Sequence, residues 1–412
     1  MGKYRLPCLV AVGIVLSILA LDEAFAQDPA PGQRGTGFVF NYGAAGARAL
    51  GMGGTFIAFA DDVTAADANP AGLAALEGAE VSGNFKFSSF EHDAAVDFTG
   101  RIEAFDDKVT SPVFFGFAVP FEGAAVSVFY QQNVNSMFHS SFDDNVTPIF
   151  FICCAFLVDE QVSIEALVQT FGGSVAYNFE DVVAVGASIG FTSLDWDQSR
   201  VLTLTDFDFP LNSVTLDINL EEVESRATTF NLGVLINPGG SVSAGAVYKR
   251  GAEFELSRSL TPTCVGFTGD LCIPANFTTD THALVLPSVF GGGVGFRHER
   301  FRAGADIVQV SYSDLADTFE FIFGFPSDEP IEDQIEIHAG VEYGFGGDDA
   351  QGAVRAGIFT SPDHDGIRFV DSDRVGFTFG GGGNFEGVQL DAAASFSEAA
   401  TEFLFSFGYS FR

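Results

Sequence analysis

Residues 403–411 read Phe-Leu-Phe-Ser-Phe-Gly-Tyr-Ser-Phe and end one position before the C-terminus of a 412-residue chain. Aromatic side chains stand at every second position of this stretch, and small, polar or aliphatic residues stand between them. A β-strand points successive side chains to opposite faces, so one face of this strand is wholly aromatic. That face needs an apolar medium beside it.

The same two-residue period recurs along most of the chain. In residues 241–256 the apolar residues occupy even-numbered positions, and we expect all seven to point to the same face of the strand: Val242, Ala244, Ala246, Tyr248, Ala252, Phe254 and Leu256. Fourteen strands are predicted at about residues 81–91, 112–119, 124–133, 165–178, 182–195, 224–237, 241–256, 283–297, 301–313, 333–344, 352–361, 373–384, 387–396 and 402–412. Alternation alone fits either a soluble β-sandwich or a transmembrane β-barrel.

Composition narrows the choice of function. The chain has 55 Asp and Glu against 19 Lys and Arg, a net charge of −36, which excludes nucleic acid as a main partner because polyphosphate binding needs a cationic surface. Apolar residues make up 47% of the chain, which argues against intrinsic disorder. The 47 Gly and 47 Phe favour strands and tight turns over helices.

The N-terminus has the pattern of an export signal. Lys3 and Arg5 precede an apolar run over residues 6–21, and Ala24-Phe25-Ala26 supplies the small residues that a signal peptidase reads. The run is shorter than the roughly 20 residues of a transmembrane helix. We expect residues 1–26 to be a signal peptide that is cleaved after Ala26.

The connections between the predicted strands alternate in length. Short turns are expected at residues 120–123, 179–181, 238–240, 298–300, 345–351 and 385–386, and long loops at 92–111, 134–164, 196–223, 257–282, 314–332 and 362–372. This alternation is typical of outer-membrane barrels, whose periplasmic turns are short and whose extracellular loops are long. Together with the export signal, it predicts an all-β fold, a 14-stranded antiparallel transmembrane β-barrel over residues 81–412.

An exported chain that ends on an aromatic strand resembles outer-membrane barrels, in which the last strand is the signal for the barrel-assembly machinery. Here Arg412 follows the last aromatic, a small departure from that pattern. We expect a monomer in the outer membrane of a Gram-negative-type bacterium, in contact with outer-membrane lipid and lipopolysaccharide, with both chain ends on the periplasmic side.

Residues 27–80 do not alternate and carry a motif instead. They contain GARALGMGG at 46–54, ADD at 60–62 and NPAGL at 69–73. At this spacing the motif resembles the N-terminal hatch of the FadL/TodX/Omp P1 family of outer-membrane transporters, and the resemblance covers residues from about 38 to the C-terminus. It implies a hatch over residues 27–80 inside the barrel lumen that shifts when ligand binds. The residues that match the gate are Arg48, Asp61, Asp62, Asn69, Pro70 and Ala71.

Physical chemistry allows two interpretations of the motif residues. Arg48, Asp61 and Asp62 could tie the hatch to lumen side chains by ion pairs. Asn69 before Pro70 also fits an ordinary turn or helix start. A related branch of the family with a similar hatch serves protein secretion as an attachment shuttle, so the motif does not by itself establish transport.

The resemblance implies passive uptake of long-chain fatty acids or other hydrophobic compounds such as aromatic hydrocarbons. The rival interpretation is a barrel that transports nothing, either an adhesin-like protein or a secretion-attachment protein. We expect no catalytic activity, no cofactor and no metal. The pattern Gly-x-Ser-x-Gly at 186–190 matches a hydrolase nucleophile elbow, but it lies in an unbroken strand alternation.

Two groups of residues are candidates for ligand binding. The apolar run at 149–158 lies in the predicted loop 134–164 and would capture ligand through Phe150, Phe151, Ile152, Phe156 and Leu157, unless it packs on neighbouring loops or extends a strand. Strand parity places four cations in the lumen, Lys86, Lys249, Arg302 and Arg355, and a carboxylate head group would bind one of them. Pairing with lumen acids, such as Arg302 with Asp306 or Lys249 with Glu253, is the alternative.

Four cysteines remain after signal cleavage. Cys264 and Cys272 lie eight apart in one predicted loop and are candidates for a disulfide in an oxidising compartment. Cys153 and Cys154 are adjacent, and the sequence leaves their state open.

Overall fold

A computed structural model describes residues 46–95, 102–151, 154–206, 213–265, 277–315, 332–346, 350–361, 374–397 and 400–411. The predicted signal peptide, Ile152, Cys153, Cys272 and most of the predicted loops at 314–332 and 362–372 lie outside these ranges. Within them, none of the helices has the length and hydropathy needed to cross a membrane.

Seventeen strand segments form one sheet. In chain order they are β1 (Ala79–Ala95), β2 (Ile102–Phe121), β3 (Ala124–Phe151), β4 (Cys154–Phe179), β5 (Val183–Asp206), β6 (Ser213–Glu224), β7 (Arg226–Ile236), β8 (Val242–Lys249), β9 (Glu253–Val265), β10 (Phe277–Val285), β11 (Val289–His298), β12 (Phe301–Val310), β13 (Gln334–Gly346), β14 (Ala350–Ser361), β15 (Arg374–Phe385), β16 (Val388–Phe396) and β17 (Ala400–Phe411).

Three of the barrel's strands are interrupted. The first break is at Ser225, which separates β6 from β7, and both of these segments pair with β5. The second break, at residues 250–252, separates β8 from β9, and the third, at residues 286–288, separates β10 from β11. Each pair therefore forms one strand of the wall, which leaves fourteen strands. All neighbours are antiparallel, and β17 pairs with β1 from Phe411 opposite Ala79 to Ala400 opposite Phe90, so the barrel closes. The predicted 14-stranded antiparallel barrel is confirmed.

The aromatic parity of β17 faces outward. Phe403, Phe405, Phe407 and Phe411 are 44–52% exposed, whereas Leu404 between them is 1% exposed. Edge-to-face ring pairs continue the outer surface across the barrel seam, as between Phe87 of β1 and Phe405 at 5.9 Å. Large side chains of nearly every strand share this exposure, which makes a continuous apolar belt of the kind that faces lipid hydrocarbon.

The short turns fall where the sequence predicts them. Glu180, Asp181, Asn237, Glu299 and Glu386 have positive φ angles of 49–57°. Positive φ is what two-residue hairpin turns require, because their twist must match that of the flanking strands. All five lie in short connections at one edge of the barrel.

The predicted long loops at the other edge are partly wrong. Much of residues 92–111, 134–164, 196–223 and 257–282 continues as paired strand, and β3 with β4 forms a hairpin whose ladder reaches from Ala124 opposite Tyr177 to Phe151 opposite Cys154. The strands were missed because their outer face no longer meets lipid there. The apolar-polar alternation fades, although the backbone ladder continues.

The prediction that all seven apolar residues of 241–256 face the same way is also wrong. Val242 and Tyr248 are exposed outward, but Phe254 and Leu256 are 2% and 0% exposed and point inward. Residues 250–252 are not part of the strand ladder. Across them the side chains of one parity change from the outer face in β8 to the inner face in β9, as they would after a one-residue slip in register.

The reversal builds an upper apolar cluster inside the barrel, on the side away from the short turns. Its buried members come from seven of the strand segments, from the breaks at 250–252 and 286–288, and from the 3-10 turn Tyr312–Leu315: Val134, Ile164, Ala166, Val168, Leu194, Trp196, Ala252, Phe254, Leu256, Leu284, Leu286, Val289, Val310, Tyr312 and Leu315.

Three short helical elements precede β1: α1 (Ala47–Gly51), α2 (Ala65–Ala68) and a 3-10 helix (Pro70–Ala75). We call residues 46–78 the inner segment. Its side chains from Ala47 to Leu73 are almost all buried, and its contacts run to strands all round the wall.

We expect Phe405→Lys to destabilise the barrel by about 2–4 kcal/mol, the cost of a lysine at the middle of a lipid-facing strand. The measurement is unfolding by urea in lipid vesicles. Phe405→Leu keeps an apolar side chain and serves as the control. Equal stability of the two variants would contradict the assignment of this face to lipid.

Candidate functional site

The inner segment is held by inward-facing side chains from opposite sides of the barrel. Asp306 Oδ2 on β12 accepts the backbone N–H groups of Phe56 and Ile57 at 2.8 and 3.0 Å. On the other side, Ser174 of β4 and Ser188 of β5 both donate to the carbonyl oxygen of Ala66, at 2.8 and 2.6 Å. Further anchors on four other strands are Ser243, His338, Thr378 and Ser406. These hydrogen bonds fix the backbone of the inner segment across the lumen.

Glycines of the wall let the inner segment come into backbone contact with the strands. A methyl group on Gly186 would overlap the backbone nitrogen of Ala71, and one on Gly340 would overlap the carbonyl oxygen of Met52. Neither glycine is among the functional residues predicted from the sequence. A usable signal was present, since glycine within a strand often marks a close approach of another backbone.

An ion network joins the inner segment to the wall. Arg48 Nη1 lies 2.6 Å from Asp61 Oδ1, and Arg48 Nε lies 3.4 Å from Glu342 of β13. Asp61 Oδ2 also lies 3.2 Å from Arg297 and 3.3 Å from Arg302. The structure thus places Arg48 and Asp61 in ion pairs with the wall; their role as a gate stays a prediction.

The ion network stabilises the ionised form of its central carboxylate, Asp61. Burial alone would raise the pKa of Asp61, but the guanidinium groups of Arg48, Arg302 and Arg297 lower this pKa below its ordinary 3.8. Asp62 differs: burial raises its pKa, and its carboxylate caps the following turn by accepting from the N–H and hydroxyl of Thr64. Only Asp61 of this acidic pair therefore ties the inner segment to the wall by charge.

Asn69 organises the turn that follows α2. Its Oδ1 accepts from the N–H of Ala71 at 3.3 Å, and its Nδ2 donates to the carbonyl of Ile57 at 2.9 Å. Asn69 thus caps the 3-10 helix that Pro70 begins, which agrees with the expectation of an ordinary helix start. Pro70 and Ala71 are buried against the wall.

The candidate ligand-binding cations are all paired within the protein. Lys249 Nζ lies 2.8 Å from Asp67 Oδ2 of α2. Arg355 lies 2.7 Å from Glu342 and 2.6 Å from Asp391, and Arg302 pairs with Asp61 and Glu342.

The pairing partners suggested for Lys249 and Arg302 are wrong. Glu253 lies beyond the break in the strand and faces outward, so Lys249 cannot meet it across one face. Asp306 is occupied by the backbone of the inner segment. Lys86 pairs with Glu402 at 2.9 Å.

The proposed capture residues lie at the tip of the β3–β4 hairpin. Phe150 and Phe151 end β3, Phe156 and Leu157 belong to β4, and Ile152 is outside the described residues. The run is therefore largely a strand extension, one of the two alternatives to a free loop, and its capture role stays a prediction. Cys264 lies near the end of β9 and Cys272 outside the described residues, so their disulfide also stays a prediction.

Ser188 does not lie on the turn that a nucleophile elbow needs. It lies within β5, and no strand-to-helix turn follows it, as a nucleophile elbow requires. Its hydroxyl donates to the backbone of the inner segment. Its role in the described structure is therefore to hold the inner segment.

Comparison with known proteins identifies the architecture. A model of the family described as outer membrane protein transport protein (OMPP1/FadL/TodX) matches residues 34–402. A search of curated protein sequences gives no match.

Several solved structures share the fold at low identity. A Pseudomonas aeruginosa FadL homologue is 14% identical with a TM-score of 0.64, covering 89% of this chain and 98% of its own. The Ralstonia pickettii toluene transporter TbuX is 15% identical with a TM-score of 0.58, covering 91% and 100%. The P. putida toluene transporter TodX is 14% identical with a TM-score of 0.59, covering 90% and 100%.

We expect Gly186→Ala to displace the inner segment, because the added methyl overlaps the backbone of Ala71. Overpacking of this kind costs about 1–3 kcal/mol. Thermal unfolding in detergent should show the loss, and ion conductance in planar bilayers should rise as the seal loosens. Gly173→Ala on the neighbouring strand is the control, since a methyl there meets only the carbonyl oxygen of Ser127 at an ordinary 3.4 Å. Similar behaviour of the two variants would contradict the docking role.

Replacing Asp61 by Asn should cost about 1.5–3 kcal/mol at neutral pH, because three half-buried guanidinium groups lose one charge-assisted partner. The folded-state pKa of Asp61 is lowered, so its stabilisation is present above pH 3.8 and is lost as pH falls through the folded value. The stability difference between wild type and Asp61→Asn should therefore shrink below about pH 4. Asp62→Asn is the control, because Asp62 makes no ion pair within the described residues. A difference that does not change with acid would refute the assignment.

Proposed function

Since this chain belongs to the OMPP1/FadL/TodX family of outer-membrane transport proteins, we propose that it takes up neutral hydrophobic compounds by passive diffusion. The observation that carries the proposal is the inside of the barrel, where apolar side chains of seven strands converge above the anchored inner segment. A wall that turns apolar side chains inward above the lipid belt offers an oily solute a favourable surface within the protein. Members of the family are transport channels, so a binding and passage role fits better than catalysis.

Electrostatics favour a neutral solute over a fatty acid. A carboxylate head would need a cation, and the predicted candidates Lys249, Arg302 and Arg355 already have protein carboxylates within 2.6–3.5 Å. The net charge of −36 adds a general repulsion of anions. The toluene transporters among the structural neighbours carry neutral solutes, which agrees with this choice. Long-chain fatty acids remain the alternative substrate class.

Passage of this kind needs no energy source. Burial of apolar area contributes about 0.8 kcal/mol per methylene group, so a small hydrocarbon gains a few kcal/mol at each apolar surface it meets. Weak successive sites suit passage better than one tight site.

We infer that residues 27–80 form the hatch, with the inner segment as its anchored part. The anchors on opposite strands support this role, because a solute cannot pass the inner segment while they hold. The tip of the β3–β4 hairpin is the proposed point of capture. Recognition of β17 by the assembly machinery and a monomeric state complete the proposal.

Uptake of radiolabelled toluene and of a long-chain fatty acid by cells expressing the protein tests the proposal. We expect Phe254→Gln, which puts an amide into the upper apolar cluster, to reduce toluene uptake by about tenfold, since an unpaired buried amide costs about 1–3 kcal/mol. Phe254→Leu keeps the surface apolar and should retain most of the uptake.

The two solutes separate the competing hypotheses. Uptake of the fatty acid but not of toluene would refute the neutral substrate class. Uptake of neither would refute transport and leave the adhesin-like or secretion-attachment function. In each case the amount of folded barrel is checked by its heat-dependent mobility on a gel.

A further inference from the structure

A small pocket lies inside the barrel between α2 and the upper apolar cluster. Its free space is about 40 Å³. Its polar lining includes Asn133, Thr170, Thr192 and Thr229 together with the charged residues Asp67, Lys249 and Arg250, and its apolar lining includes Phe129, Ala252, Leu286 and Pro287. Ala252 and Leu286 also belong to the upper apolar cluster, so the pocket is the polar floor of that cluster.

Four side chains from four successive strands of the wall form a row of hydrogen bonds along this floor. Thr170 Oγ1 of β4 lies 2.6 Å from Asn133 Oδ1 of β3 and 2.8 Å from Thr192 Oγ1 of β5. Thr192 Oγ1 in turn lies 3.2 Å from Thr229 Oγ1 of β7. Asn133 reaches the row from a bulge in β3, where the register shifts between Gln132 and Val134.

Chemistry fixes the direction of this row. The amide oxygen of Asn133 can only accept, so Thr170 donates its single hydroxyl proton to it. Thr170 must then accept from Thr192, and Thr192 must accept from Thr229. Hydrogen bonds that run in one direction polarise one another, which strengthens the acceptor at the end of the row.

The row therefore ends in an acceptor at Thr229. Its proton is committed to Thr192, its oxygen keeps a lone pair, and among the described residues it makes no other side-chain hydrogen bond. An ionised carboxylate has no proton to offer this oxygen, whereas an alcohol or a phenol has one. Of the charged residues at the pocket, Lys249 and Asp67 are paired with each other at 2.8 Å, and Arg250 is exposed.

Gly190 lets the side chains of Thr170 and Thr229 approach the backbone of β5 beside this acceptor. A methyl group there would lie 2.5 Å from Thr170 Cγ2 and 2.6 Å from Thr229 Oγ1. Free space of about 40 Å³ holds a hydroxyl group or one water molecule but no aromatic ring. The body of a guest would have to lie against the apolar residues above.

We propose that Thr229, at the end of the Asn133–Thr170–Thr192 row, is the head-group site for a neutral hydroxyl compound, an alcohol or phenol with an apolar body. This inference rests on the proposed uptake of neutral hydrophobic compounds and names a preferred class among them. A site built to accept a hydrogen bond from a hydroxyl discriminates against the analogue that lacks it, because the acceptor is then left unpaired.

The test uses toluene and 4-methylphenol, which differ by one hydroxyl group, and equilibrium dialysis of the full-length protein in detergent. We expect wild type to bind 4-methylphenol more tightly than toluene. Thr229→Val, which keeps the shape of the side chain, should weaken 4-methylphenol binding about tenfold and leave toluene binding unchanged. Thr228→Val is the matched control, because Thr228 faces outward on the same strand and should change neither.

Gly190→Ala gives a second variant, since its methyl would displace the side chains of Thr170 and Thr229 without removing a polar group, and it should also weaken 4-methylphenol binding selectively. Unchanged 4-methylphenol binding in Thr229→Val, or an equal loss for both compounds, would overturn the head-group site while leaving uptake of neutral compounds intact. If wild type binds neither compound, the proposed function itself fails, and the site falls with it.

Discussion

The closing ladder between β17 and β1 is the interaction on which the rest of the structure depends. Lipid offers no hydrogen-bond partner to a free strand edge, so a spanning sheet must satisfy every backbone group internally. Twelve consecutive residue pairs join the last strand to the first. Closure turns an amphipathic sheet into two separate surfaces, an outer one for hydrocarbon and an inner one that the side chains of the other parity define. Without this closure the inner faces of the strands would not surround a lumen.

The inner surface has two levels with opposite chemistry. Below, glycines, hydroxyl groups and paired charges receive the backbone of the inner segment. Above the breaks at residues 250–252 and 286–288, the wall turns Phe254 and Leu256 inward and presents the upper apolar cluster. The same breaks that interrupt the strands therefore divide a lower level that holds the inner segment from an upper level suited to oily solutes.

The sequence predicted the membrane-spanning parts of the strands and the short turns because both depend on local patterns, but it missed the strand extensions at the other edge. The two-residue alternation of a strand and the composition of a short turn, such as 179–181 or 298–300, can each be recognised from a few consecutive residues. The facing of Phe254 was not predictable, since alternation fixes which residues share a face but not where a break exchanges the two faces. The partner of Lys249 was missed for another reason. Asp67 lies 182 positions away, and only the path of the inner segment brings the two together.

Charge pairing and hydrogen-bond direction together define what the interior accepts. A chain with a net charge of −36 would be expected to fill its lumen with unpaired carboxylates, yet Asp61, Asp67, Glu342 and Asp391 each meet a cation. Their fields are largely cancelled, so a neutral solute meets little electrostatic penalty while an anion finds no unpaired cation among these groups. Selectivity among neutral solutes then depends on weaker interactions such as single hydrogen bonds. The row of threonine hydroxyls, whose hydrogen-bond direction is set by Asn133, favours a solute that donates a proton.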